Sequence, residues 1–287
     1  MPWNTTSNIE LSEGDLVYFR YYVEVVGPIL DLFDPERHFS NAVPHLAVRN
    51  MGLLKSILAV AARHMSLGSN DIDDVGPRNT PSPDTGYQGG QANLEPARMA
   101  TQFYYETLQY LSHTLLYPSY ADSHEILATA VMISTYEMFD ANGSSTNGDW
   151  ERHLRGAFWI QRSQNNNGES TDGLRRAVWW AWLRQDIWAA FRSGRRTLTI
   201  FQPRKRIQDL SSDELLTRIL FIAAKCVDNG WTMGAGCFGL SRNGAKRYQP
   251  HFPLSPRPLP QSLHPGQAPS LSPRHPLIIL AKVRPLL

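Results

Sequence analysis

The stretch GLRRAVWWAWLRQDIWAAFRS, residues 173–193, limits the possible folds more than any other part of the chain. Trp180, Leu183, Ile187 and Ala190 or Phe191 recur at helical steps of three and four. Trp179, Trp182 and Trp188 carry the apolar surface round to other faces. A surface helix needs only one apolar stripe, so a helix that is apolar on several faces has to be enclosed by neighbours. The same rings could also line a ligand cavity, which is compatible with a core position; Trp179, Trp180, Trp182 and Trp188 are therefore the candidate pocket aromatics.

Enclosing such a helix takes several others, and they are legible. Leu54, Ile57, Leu58, Ala61 and Met65 form one stripe, closed by Gly68. A second helix is predicted from about Arg98 to near Pro118, and a third over SHEILATAVMISTYEMF with Asp122 or Ser123 as its cap. WERHLRGAFWIQRS makes a fourth, and the polar run QNNNGESTD separates it from the tryptophan-rich helix, which Thr171 or Asp172 could cap. SSDELLTRILFIAAKCV is the last clear helix, opened by Ser211 or Ser212 with acids in its first turn. No alternating Val/Ile/Thr run competes, and the class read from the residues is all-α, a multi-helix domain.

Residues 1–15 read as an N-terminal tail, 16–239 as the helical domain and 240–287 as a disordered tail holding ten of the chain's 20 prolines in its last 47 residues. Within the domain, residues 69–96 are rich in proline, glycine, Asp and Asn without apolar period and predict a flexible loop. Charge divides the same way. Residues 241–287 hold seven Lys/Arg and no acid, leaving 28 − 7 = 21 basic against 26 acidic residues in 1–240, a net of −5. Nonspecific nucleic-acid affinity comes from cations neutralising phosphates, so direct DNA binding by the body is not expected.

Cys226 and Cys237 are the only cysteines, too few for a disulfide framework or a thiolate zinc site, and they suit a reducing compartment. No apolar run approaches membrane-spanning length and the N-terminus shows no secretory pattern, so the sequons at Asn4 and Asn142 read as chance.

The motifs that suggest chemistry give way to plainer readings. FDPERHFSNAVPHLA, residues 33–47, gathers acids and histidines, but His38 and His45 are seven apart with Pro44 between, and His64 is distant. Asp34-Pro35 reads instead as a turn or helix start, with Asp34 as cap, Pro35 at the first helical position and Glu36 near the positive end of the dipole. HEILA at 124–128 lacks the second histidine of a zincin helix. GAGCFG at 234–239 follows a helix, not the strand that a dinucleotide fingerprint needs, and reads as a flexible linker. DIDD at 71–74 falls in the predicted loop, where a solvated acidic turn is favoured over a magnesium site. The basic run PRKR at 203–206 makes Arg204, Lys205 and Arg206 a candidate nuclear-import cluster, and SPRPLPQ in the tail a candidate polyproline ligand.

Several blocks in order resemble the fungal-specific transcription factor domain, the regulatory helical region of zinc-cluster transcription factors. They are YYVEVVGPILDLFDPERHFSNAVPHLAVRNMGLLKSILAVAARHMSL, YYETLQYL, HEILATAVMISTYEMFD, HLRGAFWI, GLRRAVWWAWLRQDIWAAFRS and LLTRILFIAAKC, together spanning roughly 17–230. The resemblance implies an all-helical regulatory fold in which FDPERHF is structural, a nuclear location, and action through transcriptional partner proteins, intramolecular contacts or a small hydrophobic effector. It implies no catalytic residue and no cofactor in this chain. The family's zinc belongs to an N-terminal six-cysteine cluster, which nothing before Leu16 resembles. The second reading is an all-helical enzyme or small-molecule-binding protein with an aromatic-lined pocket, its metal drawn from Asp73, Asp74 or His38.

Overall fold

The computed structural model describes residues 4–68, 94–117, 122–140 and 150–237. Among them there are helices and connecting turns and no strand. The flexible-loop reading of residues 69–93, with Asp73 and Asp74, and the reading of the proline-rich tail lie outside the described residues.

α1, Glu13–Tyr21, starts where the Ser12 hydroxyl accepts from Asp15 N–H at 3.1 Å. It runs into a wider π turn, Tyr22–Val26, and α2, Gly27–Leu30. Pro28 has no N–H to donate and its ring crowds the preceding turn, which the wider winding accommodates. A short 3₁₀ turn, Asp31–Phe33, leads through an irregular corner to α3, Ala42–Ala47, and α4, Met51–Gly68. α5 is Leu94–Thr114, α6 His124–Asp140, α7 Trp150–Ser163, α8 Gly173–Ser193 and α9 Ser212–Cys237.

α4 packs between α5 and α6, α6 lies against α7 and α8, and α9 closes the far side on α8. α6 and α8 are central, with buried residues on every face. Three of their polar residues meet in this interior: Ser134 donates to Gln185 Oε1 at 2.6 Å, and Gln185 Nε2 donates to Thr135 at 2.8 Å. With the oxygen and the nitrogen of the Gln185 amide both partnered, the trio registers the two helices. α8 is fastened to α7 by Trp182 Nε1, which donates to Leu154 O at 2.9 Å while its ring stacks on Phe158.

Three expectations are corrected. Residues 4–15 are part of the domain, not a tail: Thr5 and Ile9 N–H donate to Arg49 O and Val48 O, and the Asn4 amide donates to Glu125 Oε1 at 2.7 Å. The loop read as ending at 96 ends earlier, because α5 starts at Leu94 and holds Pro96 in its first turn, where no intrahelical N–H is required. The backbone of α9 stays helical ten residues past Val227, so GAGC at 234–237 is helix and not linker.

Candidate functional site

The turn after α2 is built by two aspartates. Buried Asp31 accepts from Phe39 N–H, Ser40 N–H and the Ser40 hydroxyl, at 2.7, 2.9 and 2.5 Å. Burial raises its pKa, and these bonds to the carboxylate oppose the shift. Asp34 accepts from His38 N–H at 2.6 Å and lies 2.8 Å from His38 Nδ1, while Glu36 reaches His38 Nε2 at 3.3 Å. Asp34 thus caps a turn, but no helix starts there, which corrects that part of the expectation; the next helix waits until Ala42. His45 is spent on Asn41 O and His64 on the Tyr21 hydroxyl, so the three histidines are not gathered. Among the described residues no group of three His, Cys, Asp or Glu is placed to hold a metal ion.

α8 opens beside this turn, with the Asp172 carboxylate accepting from Arg175 N–H at 2.9 Å. It closes at Gly194, whose φ of 69° puts a left-handed residue after the last turn. From there residues 195–210 cross the end of α8 as a strap. Leu198 N–H donates to buried Asp186 at 2.5 Å, and Arg195 pairs with Asp186 at 2.8 Å and Glu151 at 3.0 Å. Burial raises the Asp186 pKa against the pull of Arg195. Thr197 is held by Asp228 of α9, and Phe201 is wedged between Trp180 and Phe221 with ring centroids 5.2 Å apart on each side.

Between the Phe33–Glu36 turn, the 168–170 turn, α8, the strap and the first turns of α9 lies a cleft of about 550 Å³, within the roughly 300–1,000 Å³ usual for small-molecule sites. Phe33, Ala177, Trp180, Phe201 and Leu210 make its apolar part. Its rim is stapled by ion pairs: Arg176 with Glu36 at 3.7 Å, Arg204 with Glu169 at 3.3 Å and Lys205 with Glu214 at 2.5 Å. The Lys205 ammonium and the Ser211 N–H pull the Glu214 pKa down to about 2. Glu214 Oε2 accepts from Ser211 N–H and the Ser211 hydroxyl accepts from Glu214 N–H, a capping box that starts α9.

The four tryptophans do not share this cleft, which corrects the pocket-aromatic expectation. Trp180 borders it, Trp179 and Trp182 are sealed in the core at 1% and 0% exposure, and Trp188 is 52% exposed, stacked beside Phe191. On a helix with neighbours on most sides, tryptophans spread over several faces cannot converge on one. Arg204, Lys205 and Arg206 lie exposed on the strap, the first two paired as above and Arg206 without an ion-pair partner among the described residues. Phe201, Asp213 and Arg218 line the cleft and were not expected there; the acid-rich start of α9 marked Asp213 only as a first-turn residue.

No curated protein and no solved structure matches the chain significantly. Residues 17–187, from α1 into α8, match the sequence model of the fungal specific transcription factor domain, and the strap and α9 follow the matched stretch. With more than half of its length so matched, the chain belongs to the fungal-specific transcription factor domain family and falls among transcription regulators.

Proposed function

We propose that this chain is the regulatory module of a zinc-cluster-type transcription factor, working in the nucleus through protein contacts and a small effector, without DNA contact of its own. Family membership and the net charge of −5 over residues 1–240 support this reading. The observation that carries it is the outer face of α9. Leu215, Ile219 and Ile222 recur there at helical spacing and stand exposed beside Leu216, an apolar stripe of the kind a partner helix covers. The chain itself needs no cofactor, zinc being the business of a separate cysteine cluster. The exposed run Arg204, Lys205 and Arg206 offers cations to an import receptor. The enzyme alternative gains nothing from His38, both of whose ring nitrogens are engaged by Asp34 and Glu36.

The test is a fusion of the full chain to a heterologous DNA-binding domain, assayed on a reporter in yeast. The expected result is reporter output that differs from the DNA-binding domain alone and returns to that level with Ile219→Asp and Ile222→Asp together. A folded, nuclear fusion that leaves the reporter unchanged overturns the reading.

A further inference from the structure

The charges lining the cleft can be paired off one by one. Arg176 meets Glu36, Arg204 meets Glu169, Lys205 meets Glu214, and Asp34 meets His38. Two charges remain. Arg218 donates one bond, from Nη2 to Lys205 O at 2.9 Å, and has no carboxylate partner among the described residues. Asp213 has no cationic partner among them. Both lie on α9 five residues apart, a rise of about 7.5 Å and a turn of roughly 140°, and both line the cleft.

A simple anion would satisfy Arg218 and leave Asp213 facing like charge; a simple cation would do the reverse. A zwitterion satisfies both, and the apolar wall of Trp180 and Phe201 beside them takes an apolar body. The guanidinium fork keeps donors to spare for a carboxylate after its bond to Lys205 O. We propose that the cleft binds a free α-amino acid with an apolar side chain, its carboxylate on Arg218, its ammonium on Asp213 and its side chain against Trp180 and Phe201. This deepens the effector part of the function proposed above and rests on it. The ligand touches the strap and α9 together, and so it reports amino-acid supply to the face of α9 that a partner covers.

The experiment is isothermal titration calorimetry on the full chain with L-phenylalanine as probe, beside 3-phenylpropionate, which lacks the ammonium, and 2-phenylethylamine, which lacks the carboxylate. Saturable binding of L-phenylalanine is expected, with each analogue about tenfold weaker or worse. Arg218→Gln should weaken L-phenylalanine by a similar factor, and Asp213→Asn should erase its advantage over 3-phenylpropionate. Thermal unfolding of each variant shows that it is folded, and the analogue comparison on the unaltered chain decides the matter even if a variant is not. Absence of saturable heat, analogues that bind as well as the amino acid, or an Asp213→Asn protein that keeps its preference would each overturn the proposal. The reporter assay is run without added ligand, so a failure here leaves its outcome standing and the two readings fall separately.

Discussion

Replacing Gly168 with alanine tests the cleft's construction at its tightest point. Gly168 has a φ of 82°, in the left-handed region, and a Cβ built on it would stand 2.3 Å from Trp179 Cδ1 and 2.6 Å from its Nε1. The backbone term costs about 1–2 kcal/mol. The steric term requires moving an indole that is 1% exposed and has Trp182 at 5.2 Å, an overpacking of about 1–3 kcal/mol. A reduction in unfolded-chain entropy returns about 0.4–1 kcal/mol. The net loss is about 1–5 kcal/mol, which lowers the melting temperature by roughly 2–20 °C for a domain of this size. Gly230 is the internal control, because it lies in α9 with nothing within 4 Å of a built Cβ. There the same substitution should stabilise by about 0.5–1 kcal/mol through helix propensity. Denaturant unfolding of the two variants measures both. A Gly168→Ala protein within about 0.5 kcal/mol of the unaltered chain, or the same sign for both variants, would refute the geometry argued for the turn.

Trp182→Phe should cost about 1 kcal/mol more than Trp179→Phe in denaturant unfolding: both rings are fully buried, but Trp182 loses its bond to Leu154 O, whereas Trp179 Nε1 has no hydrogen-bond partner to lose. Glu125 is buried, which alone would raise its pKa, yet the Ser123 hydroxyl and the Asn4 amide bring it below the ordinary value. A depressed carboxylate contributes stability above its unfolded pKa of about 4.3 that is lost as pH falls through the folded value. Acid unfolding of Glu125→Gln should therefore show a shallower loss of stability below about pH 4.3 than the unaltered chain, and parallel curves would refute this. Replacing Arg204, Lys205 and Arg206 together with alanine should move a fluorescent fusion out of the nucleus, and undiminished nuclear signal by microscopy would remove the import role.

Local signals were legible wherever one side chain and one nearby backbone group decide the outcome. Of the alternative caps, Ser123, Asp172 and Ser211 are the residues used. The burial of α8 followed from its apolar residues on several faces, because no exposed helix tolerates them. Illegible were the features that depend on pairs far apart in sequence. Asn50 caps α4 through Leu53 N–H and also reaches Asn4 and Tyr110, and nothing near it announces that role. Arg37 takes a left-handed φ of 56° where no glycine marks the corner, held there by the bonds Asp31 and Asp34 make around it. The strap over residues 195–210 has no periodicity at all. Its course is set by Asp186 and Asp228, contributed by two different helices, so the cleft it completes has no motif.

α9 joins the two surfaces on which the proposed function turns. With successive residues about 100° apart, Asp213, Glu214, Thr217 and Arg218 centre roughly 140° away from Leu215, Ile219 and Ile222 round its axis. The first set lines the cleft and the second is the exposed stripe. The helix is held to the body by Leu220, Ala224 and Phe221, by the Thr197–Asp228 bonds and by the Lys205–Glu214 pair of the rim. Exposed ion pairs contribute about 0–1 kcal/mol each, so the first turn of α9 is lightly anchored. A ligand bridging the strap and Arg218 adds anchorage at that end, and a partner on the stripe adds it from outside. If both favour the same seating of α9, linkage requires that each raises the other's affinity by the same factor. Partner binding measured with and without the ligand must then give the same ratio as ligand binding measured with and without the partner.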